Sequence, residues 1–404
     1  MFTVSAPGKI ILFGEHAVVY GCPAIATSVS LRTYITVEPS QAATNLIELR
    51  LPDLKMELDI TAADLAGIGA FSGPVPSKLD PKLLAEVKEA AEKLVPGCSP
   101  LKLAAIVAFI YLYVCVYPSV STEPRRFTVR SDLPLGAGLG SSASLSVALA
   151  AALLRAAGSI PPHIDSVESR EKTHELVTQW SFIGECCIHG NPSGLDNLVA
   201  TRGGAVRFTR NPSGAPTVTP LADVPKMGLL ITDTKVSRST NDLVARVRKF
   251  AENWPELFNK LMLSFTELVD SAHSVLESSN SADNQDTQVD QVDQVDQVSR
   301  LCELIELNHG LLAALAVSHP ALERVREAGK ASRVGSTKLT GAGGGGCAIT
   351  VISTDSGETE IAEFKKQLGD EFAVFTTDIG GEGVGFADGI ADSVEEMKKL
   401  SWEY

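Results

Sequence analysis

The chain has 404 residues, 44% of them hydrophobic and 21% charged, with a formal net charge of −14 at pH 7. That length can bury a large core and predicts two domains, and the composition is that of a globular protein. The acidic balance excludes a general nucleic-acid or anionic-membrane binder, while leaving room for small anionic ligands that answer to local groups.

In chain order, residues up to about Glu38 alternate short apolar runs with Gly and Pro turns, the pattern of strands. Pro81–Leu94 reads as a helix with Leu83, Leu84, Val87, Ala91 and Leu94 on one face. Residues 103–117 read as a buried helix whose apolar run is too short to span a bilayer. Residues 127–130 are strand-like. Segments 144–157 and 168–188 read as helices, 203–208 as a strand, and 227–233 as a buried strand opening a second domain. Helices dominate 240–331, and strands return at Cys347–Ile352 and 373–377. This order predicts an α+β fold rather than a doubly wound sheet, divided into 1–222 and 223–404. Residues 278–298 are polar and end in Gln-Val-Asp repeats, whose period of three matches neither a strand nor an ideal helix. They read as a flexible acidic insertion, the alternative being an extension of a flanking helix. Seven cysteines without a Cys-x-x-Cys pair suggest a reduced, intracellular chain. Met1 to Ser5 carries no signal-peptide pattern.

Four segments carry chemistry. The first runs from Leu133 to Ser144, with Gly136, Gly138 and Gly140 at alternate positions, Ser141 and Ser142 able to cap a helix, and an Ala/Leu run behind them. Glycines expose backbone N–H groups, and a helix start carries unpaired donors and about half a positive charge. The product is a phosphate cradle. It is not a Walker A loop, because no Gly-Lys-Ser/Thr follows. It fits the dinucleotide fingerprint poorly, with Ser141 at the third position. The second segment is Ser5-Ala6-Pro7-Gly8-Lys9 through Gly14-Glu15-His16. Small residues around Lys9 suggest close ligand approach, although a hairpin with a solvated lysine explains it equally well. The third is Lys338-Leu339-Thr340-Gly341-Ala342-Gly343-Gly344-Gly345-Gly346-Cys347, where a dense glycine run marks close backbone approach, the alternative being a flexible linker. In the fourth, Glu185 and Asp196 flank the turn His189-Gly190-Asn191-Pro192-Ser193-Gly194. They could divide metal ligation and handling of a hydroxyl proton, although each alone reads as an ordinary helix-end or turn carboxylate. His189 reads as a turn residue, His309 and His319 as structural, and Cys347 as a small buried residue.

Together and in this order these segments resemble the motifs of the GHMP kinase superfamily, and within it the eukaryotic-type mevalonate kinases. Thr234-Lys235-Val236 adds to the likeness, which spans nearly the whole chain. A galactokinase is expected to carry Glu-His-Thr-Asp where Ala17 and Val18 follow His16 here. A mevalonate diphosphate decarboxylase is not expected to begin with this Pro-Gly-Lys. The resemblance implies a two-domain GHMP kinase fold with its site in the interdomain cleft, and ATP-dependent phosphorylation of the C5 hydroxyl of mevalonate. It implies that Pro134, Gly136, Ala137, Gly138, Leu139, Gly140, Ser141, Ser142 and Ala143 bind ATP, and that Ser142 and Glu185 hold Mg²⁺. Asp196 and Lys9 are the implied catalytic pair, and Lys9, Glu15, His16, Asp196, Thr240, Gly341 and Ala342 line the substrate. A cytoplasmic homodimer inhibited by prenyl diphosphates, with neither nucleic-acid nor membrane partners, completes the implied picture. Ser237 departs from the pattern, standing where a proline is common. Another GHMP small-molecule kinase, or a silent sensor with this fold, are the competing readings.

Overall fold

A computed structural model describes residues 1–40, 46–69, 71, 78–117, 124–134, 138–211, 216–221, 224, 227–277 and 287–404. The chain opens with two long paired strands, β1 (Phe2–Phe13) and β2 (Pro23–Pro39), followed by the hairpin β3 (Leu46–Leu51) and β4 (Met56–Thr61). Helix α1 (Pro81–Leu94) starts where the Asp80 carboxylate accepts from the Lys82 and Leu83 amides, and it buries Leu83, Val87 and Ala91, one residue per turn. Helix α2 (Pro100–Val116) is buried from Ala105 to Cys115, as an unbroken apolar run requires. Then come β5 (Arg125–Ser131), α3 (Ser141–Ala156), α4 (Val167–His189), α5 (Leu195–Arg202), β6 (Ala205–Thr209) and β7 (Thr217–Leu221).

The rest begins with β8 (Gly228–Asp233). It continues through α6 (Thr240–Asn253), α7 (Pro255–Glu277), α8 (Thr287–Ala314), α9 (Pro320–Ser332), β9 (Gly335–Leu339), β10 (Cys347–Ile352) and α10 (Glu358–Leu368). The chain ends with β11 (Ala373–Asp378), β12 (Gly385–Asp388) and the short α11 (Val394–Met397). The α+β expectation holds.

Two sheets result. The first runs β12-β1-β2-β5-β3-β4, with β6 alongside β2 and β7 alongside β6; the second runs β11-β8-β10-β9. In the first sheet only β3 and β5 are parallel neighbours. The second sheet is built wholly from residues after 222. The first is not built wholly from residues before it, because β12 returns to pair with Phe2–Ser5 of β1. One hydrophobic cluster also joins the sheets: Ile10, Leu12, Phe13 and Ile25 of the first pack with Leu229, Ile231, Ile349 and Val351 of the second.

The Gln-Val-Asp repeat is a correction. From Thr287 onward it belongs to α8, as the helix-extension alternative had it, while residues 278–286 lie outside the described residues. A period of three falls short of a helical turn, so valines three apart do not stay on one face. Val298 is buried and Val295 is 48% exposed. Among the described residues no helix is long and apolar enough to cross a membrane.

Candidate active site

Lys9 lies on β1, and the start of α3 closes over it. The Lys9 amide donates to the Leu139 carbonyl at 2.8 Å, and the Ser144 hydroxyl of α3 donates to the Ala6 carbonyl at 2.8 Å, so strand and helix end are stitched together. The cap of α3 is Gly140, in the left-handed region at φ 68°, with no side-chain cap. The expected capping by Ser141 and Ser142 is therefore replaced by a glycine turn. A Cβ at Gly140 would stand 2.8 Å from the Lys9 Cγ, so glycine is what lets the lysine pass beneath the helix N-terminus. Gly136 and Ala137 lie outside the described residues.

The Lys9 ammonium meets the Asp196 carboxylate at 3.1 Å, with the two side chains 9% and 27% exposed. Asp196 sits in the first turn of α5, whose N-terminus favours an anion. Gly194, at φ 77°, caps that helix and ends the turn that brings the aspartate round.

Helix α4 supplies the other wall. At Gly184 a Cβ would crowd Leu112 and Ser146 at 3.0 and 3.2 Å, so α4 approaches α2 and α3 closely there. Glu185 and His189, four residues apart, share one face, and both reach Ser142. The Ser142 hydroxyl donates to Glu185 Oε1 at 3.4 Å and lies 2.9 Å from His189 Nε2. Glu185 is 4% exposed, and its Oε2 is buried without a partner among the described residues. Burial, then the nearby Asp196 charge, push its carboxyl up to about 7 against the opposing pull of Lys9 and the Ser142 hydroxyl. His189 is thus more than a turn residue. Its spacing from Glu185 was the signal that could have shown it.

The third glycine segment meets the first through Arg238. A Cβ at Gly138 or at Gly346 would overlap the Arg238 guanidinium, so Gly138 of the first segment and Gly346 of the glycine run both press on the same cation. No pattern in the sequence singles out Arg238. A glycine at each contacting loop is the trace it leaves. Thr240 itself opens α6 and is exposed. His16, at φ 59°, places Nε2 2.8 Å from the Ala342 carbonyl, joining the first and third segments, and Gly341 lies beside Arg238.

Glu15 is fully buried and ion-paired with the equally buried Lys338. His309 is buried, His319 caps α9, and Cys347 is buried, all as structural residues. An apolar pocket beside the α3 start is lined by Leu51, Leu54, Leu101, Val129, Leu145 and Ile188, with Ser141 and Ser142 at its edge.

Set against known proteins, residues 104–204 match the model for the GHMP kinases N terminal domain and residues 294–370 that for GHMP kinases C terminal. The chain is 40% identical over 401 residues to mevalonate kinase ERG12 of Gibberella zeae, covering 95% of this chain and 77% of that protein. Against human mevalonate kinase it is 36% identical over 394 residues, covering 94% and 93%. Among solved structures, L. major mevalonate kinase in complex with R-mevalonate superposes with a TM-score of 0.64 at 23% identity, covering 94% of this chain and 96% of that one. Lactococcus lactis galactokinase complexed with galactose superposes at 0.54 and 17% identity, covering 95% and 94%. The fold alone is therefore shared across substrates.

Proposed function

The chain belongs to the mevalonate kinases of the GHMP kinase family, and from that premise we propose how its residues divide the work. The enzyme phosphorylates mevalonate at its C5 hydroxyl at the expense of ATP. In our reading the ATP phosphates lie against the N-terminus of α3, where loop 134–143 offers amides and helix-end donors. Arg238 stands on their opposite flank. The apolar pocket beside Ser141 takes the adenine, and a prenyl diphosphate that fills the same pocket inhibits by competition.

The residues around Ser142 fit Mg²⁺. A hydroxyl and a carboxylate are hard oxygen donors, and Glu185 Oε2 is a buried acceptor without a protein partner among the described residues. When bound, the ion neutralises phosphate charge and fixes phosphate orientation. His189 steadies the Ser142 hydroxyl from the side away from Glu185.

Asp196 receives the hydrogen of the C5 hydroxyl, and the Lys9 ammonium stabilises the oxygen as negative charge develops on it. A loose transition state asks little early deprotonation of the nucleophile, so orienting the hydroxyl is the larger part of Asp196's task. His16, Gly341, Ala342 and Thr240 complete the mevalonate side, where the first and third segments meet. We further propose a homodimer in the cytoplasm, a compartment that suits an ATP-consuming enzyme with seven free cysteines.

The observation that carries this reading is the Lys9–Asp196 pair at 3.1 Å under the N-terminus of α3. A coupled ADP-release assay with mevalonate, phosphomevalonate, galactose and homoserine tests it. Turnover is expected with mevalonate in large excess over the other three. Preference for another acceptor, or ATP binding without turnover, would discard it.

A further inference from the structure

The Glu15–Lys338 pair joins side chains 323 residues apart, both with no exposed surface. Glu15 closes the first glycine-flanked segment, and Lys338 lies on β9 just before the glycine run. Three contacts extend the pair. The Asn308 side-chain amide of α8 donates to Glu15 Oε2 at 3.0 Å. Lys338 Nζ also donates to the Ile11 carbonyl at 3.4 Å, and the Thr340 hydroxyl donates to that same carbonyl at 3.1 Å. His309, next to Asn308, accepts from the Leu339 amide at 3.3 Å, so α8 grips both ends of the cluster.

A buried ion pair is weak evidence of stability. Its desolvation cost rivals its attraction, and its best-attested use is to fix one arrangement over others. What this one fixes can be read from its neighbours. Ile11 lies two residues beyond Lys9 on β1. The β1–β2 ladder shifts register between Pro7 and Lys9 and again between Ile11 and Phe13. The stretch carrying Lys9 is therefore a short regular piece between two irregularities, and the third segment holds it by the Ile11 carbonyl.

We infer that Glu15, Lys338 and Thr340 are positioning residues for phosphoryl transfer. They pin the third segment to β1 at Ile11 and so set where the Lys9 ammonium meets Asp196. Glu15 acts from within the protein and touches no substrate. The inference rests on the roles proposed for Lys9 and Asp196. It adds that alignment of the pair depends on an ion pair outside the cleft, which displacement at the ångström scale would spoil.

The test compares Thr340→Val, Thr340→Ser and the double variant Glu15→Gln/Lys338→Met with the wild type. The double variant leaves no lone buried charge, and so avoids the large cost of removing one partner. Both KM values, kcat, and mevalonate affinity by calorimetry are measured. Thr340→Val is expected to lower kcat by about tenfold with mevalonate affinity and both KM values held within about twofold, and the double variant to lower kcat further. Thr340→Ser, which keeps the hydroxyl, is expected to restore kcat. A folded double variant with wild-type kcat would overturn the inference, as would a raised KM for mevalonate at unchanged kcat, which would return Glu15 to the substrate side. Should the double variant not fold, the Thr340 pair decides by the same split. A wild type inactive toward mevalonate defeats the functional reading instead, a result distinct from any difference between wild type and variants.

Discussion

Glu185, the proposed metal ligand, is costly to its own fold. With its carboxyl raised from 4.5 to about 7, it binds a proton more tightly in the folded chain than in the unfolded one. Its contribution to folding is then greatest at acidic pH and is lost as pH rises through about 7, a change on the order of 3 kcal/mol. In EDTA, the Tm of the wild type minus that of Glu185→Gln should fall from pH 5 to pH 8. A flat difference would mean that the carboxyl ionises freely in the folded chain. Asp196 and Lys9 are proposed to act on the reaction instead. In the proposed role, Asp196→Asn keeps the shape but loses the charge that orients the hydroxyl and receives its proton, and about 10²–10⁴ of kcat should go with it. Lys9→Met removes the cation beside the reacting oxygen and should cost about 10²–10³. Circular dichroism should show both variants folded, and near-normal turnover in either would remove that residue from its role.

The meeting of α3 and β1 is where elements decide the chemistry. Gly140→Ala puts a methyl group 2.8 Å from the Lys9 Cγ and forces an L-residue into the left-handed region. The backbone alone costs about 1–2 kcal/mol, and the larger effect should fall on turnover as Lys9 is pushed from Asp196. Kinetics of Gly140→Ala beside Gly158→Ala separates the two effects. Gly158 also has positive φ (76°) but open space around its Cβ position, so it should lose stability alone. Equal loss of kcat in both would contradict the crowding argument. These contacts also show what was readable beforehand. Glycine spacing marked both loops, and Pro81–Leu94 and Cys347–Ile352 matched their elements end to end, because local periodicity and caps determine such boundaries. The strands β3, β4, β9 and β12 left no comparable local trace, since partners distant in sequence define them. Arg238 was passed over for the same reason. A charged residue beside a glycine looks the same whether it faces a cleft or, like Glu15, a lysine more than three hundred residues away.

At the scale of the molecule, the division near residue 222 describes the sheets better than the energetics. Leu133 and Leu139, on either side of the phosphate loop, belong to the cluster that Leu229, Ile231 and Ile349 share with β1 and β2. The core beneath the loop is thus contributed by both halves. Arg32 adds a further tie. Buried, it donates to the Ser5 hydroxyl at 3.0 Å and to the Glu382 carbonyl at 2.9 Å, fastening β1 and β2 to the chain just before β12. Opening one half would expose apolar surface of the other and strand a buried guanidinium, so neither half has a low-cost route to separate unfolding. The two halves should therefore open together. Native-state hydrogen exchange in rising urea, read by mass spectrometry on peptides from β2 and from β10, should give coincident midpoints. If β10 exchanged at distinctly lower urea than β2, the shared cluster would be only a contact between autonomous units, and the Ile11 pin would then have to hold two independently mobile bodies in register.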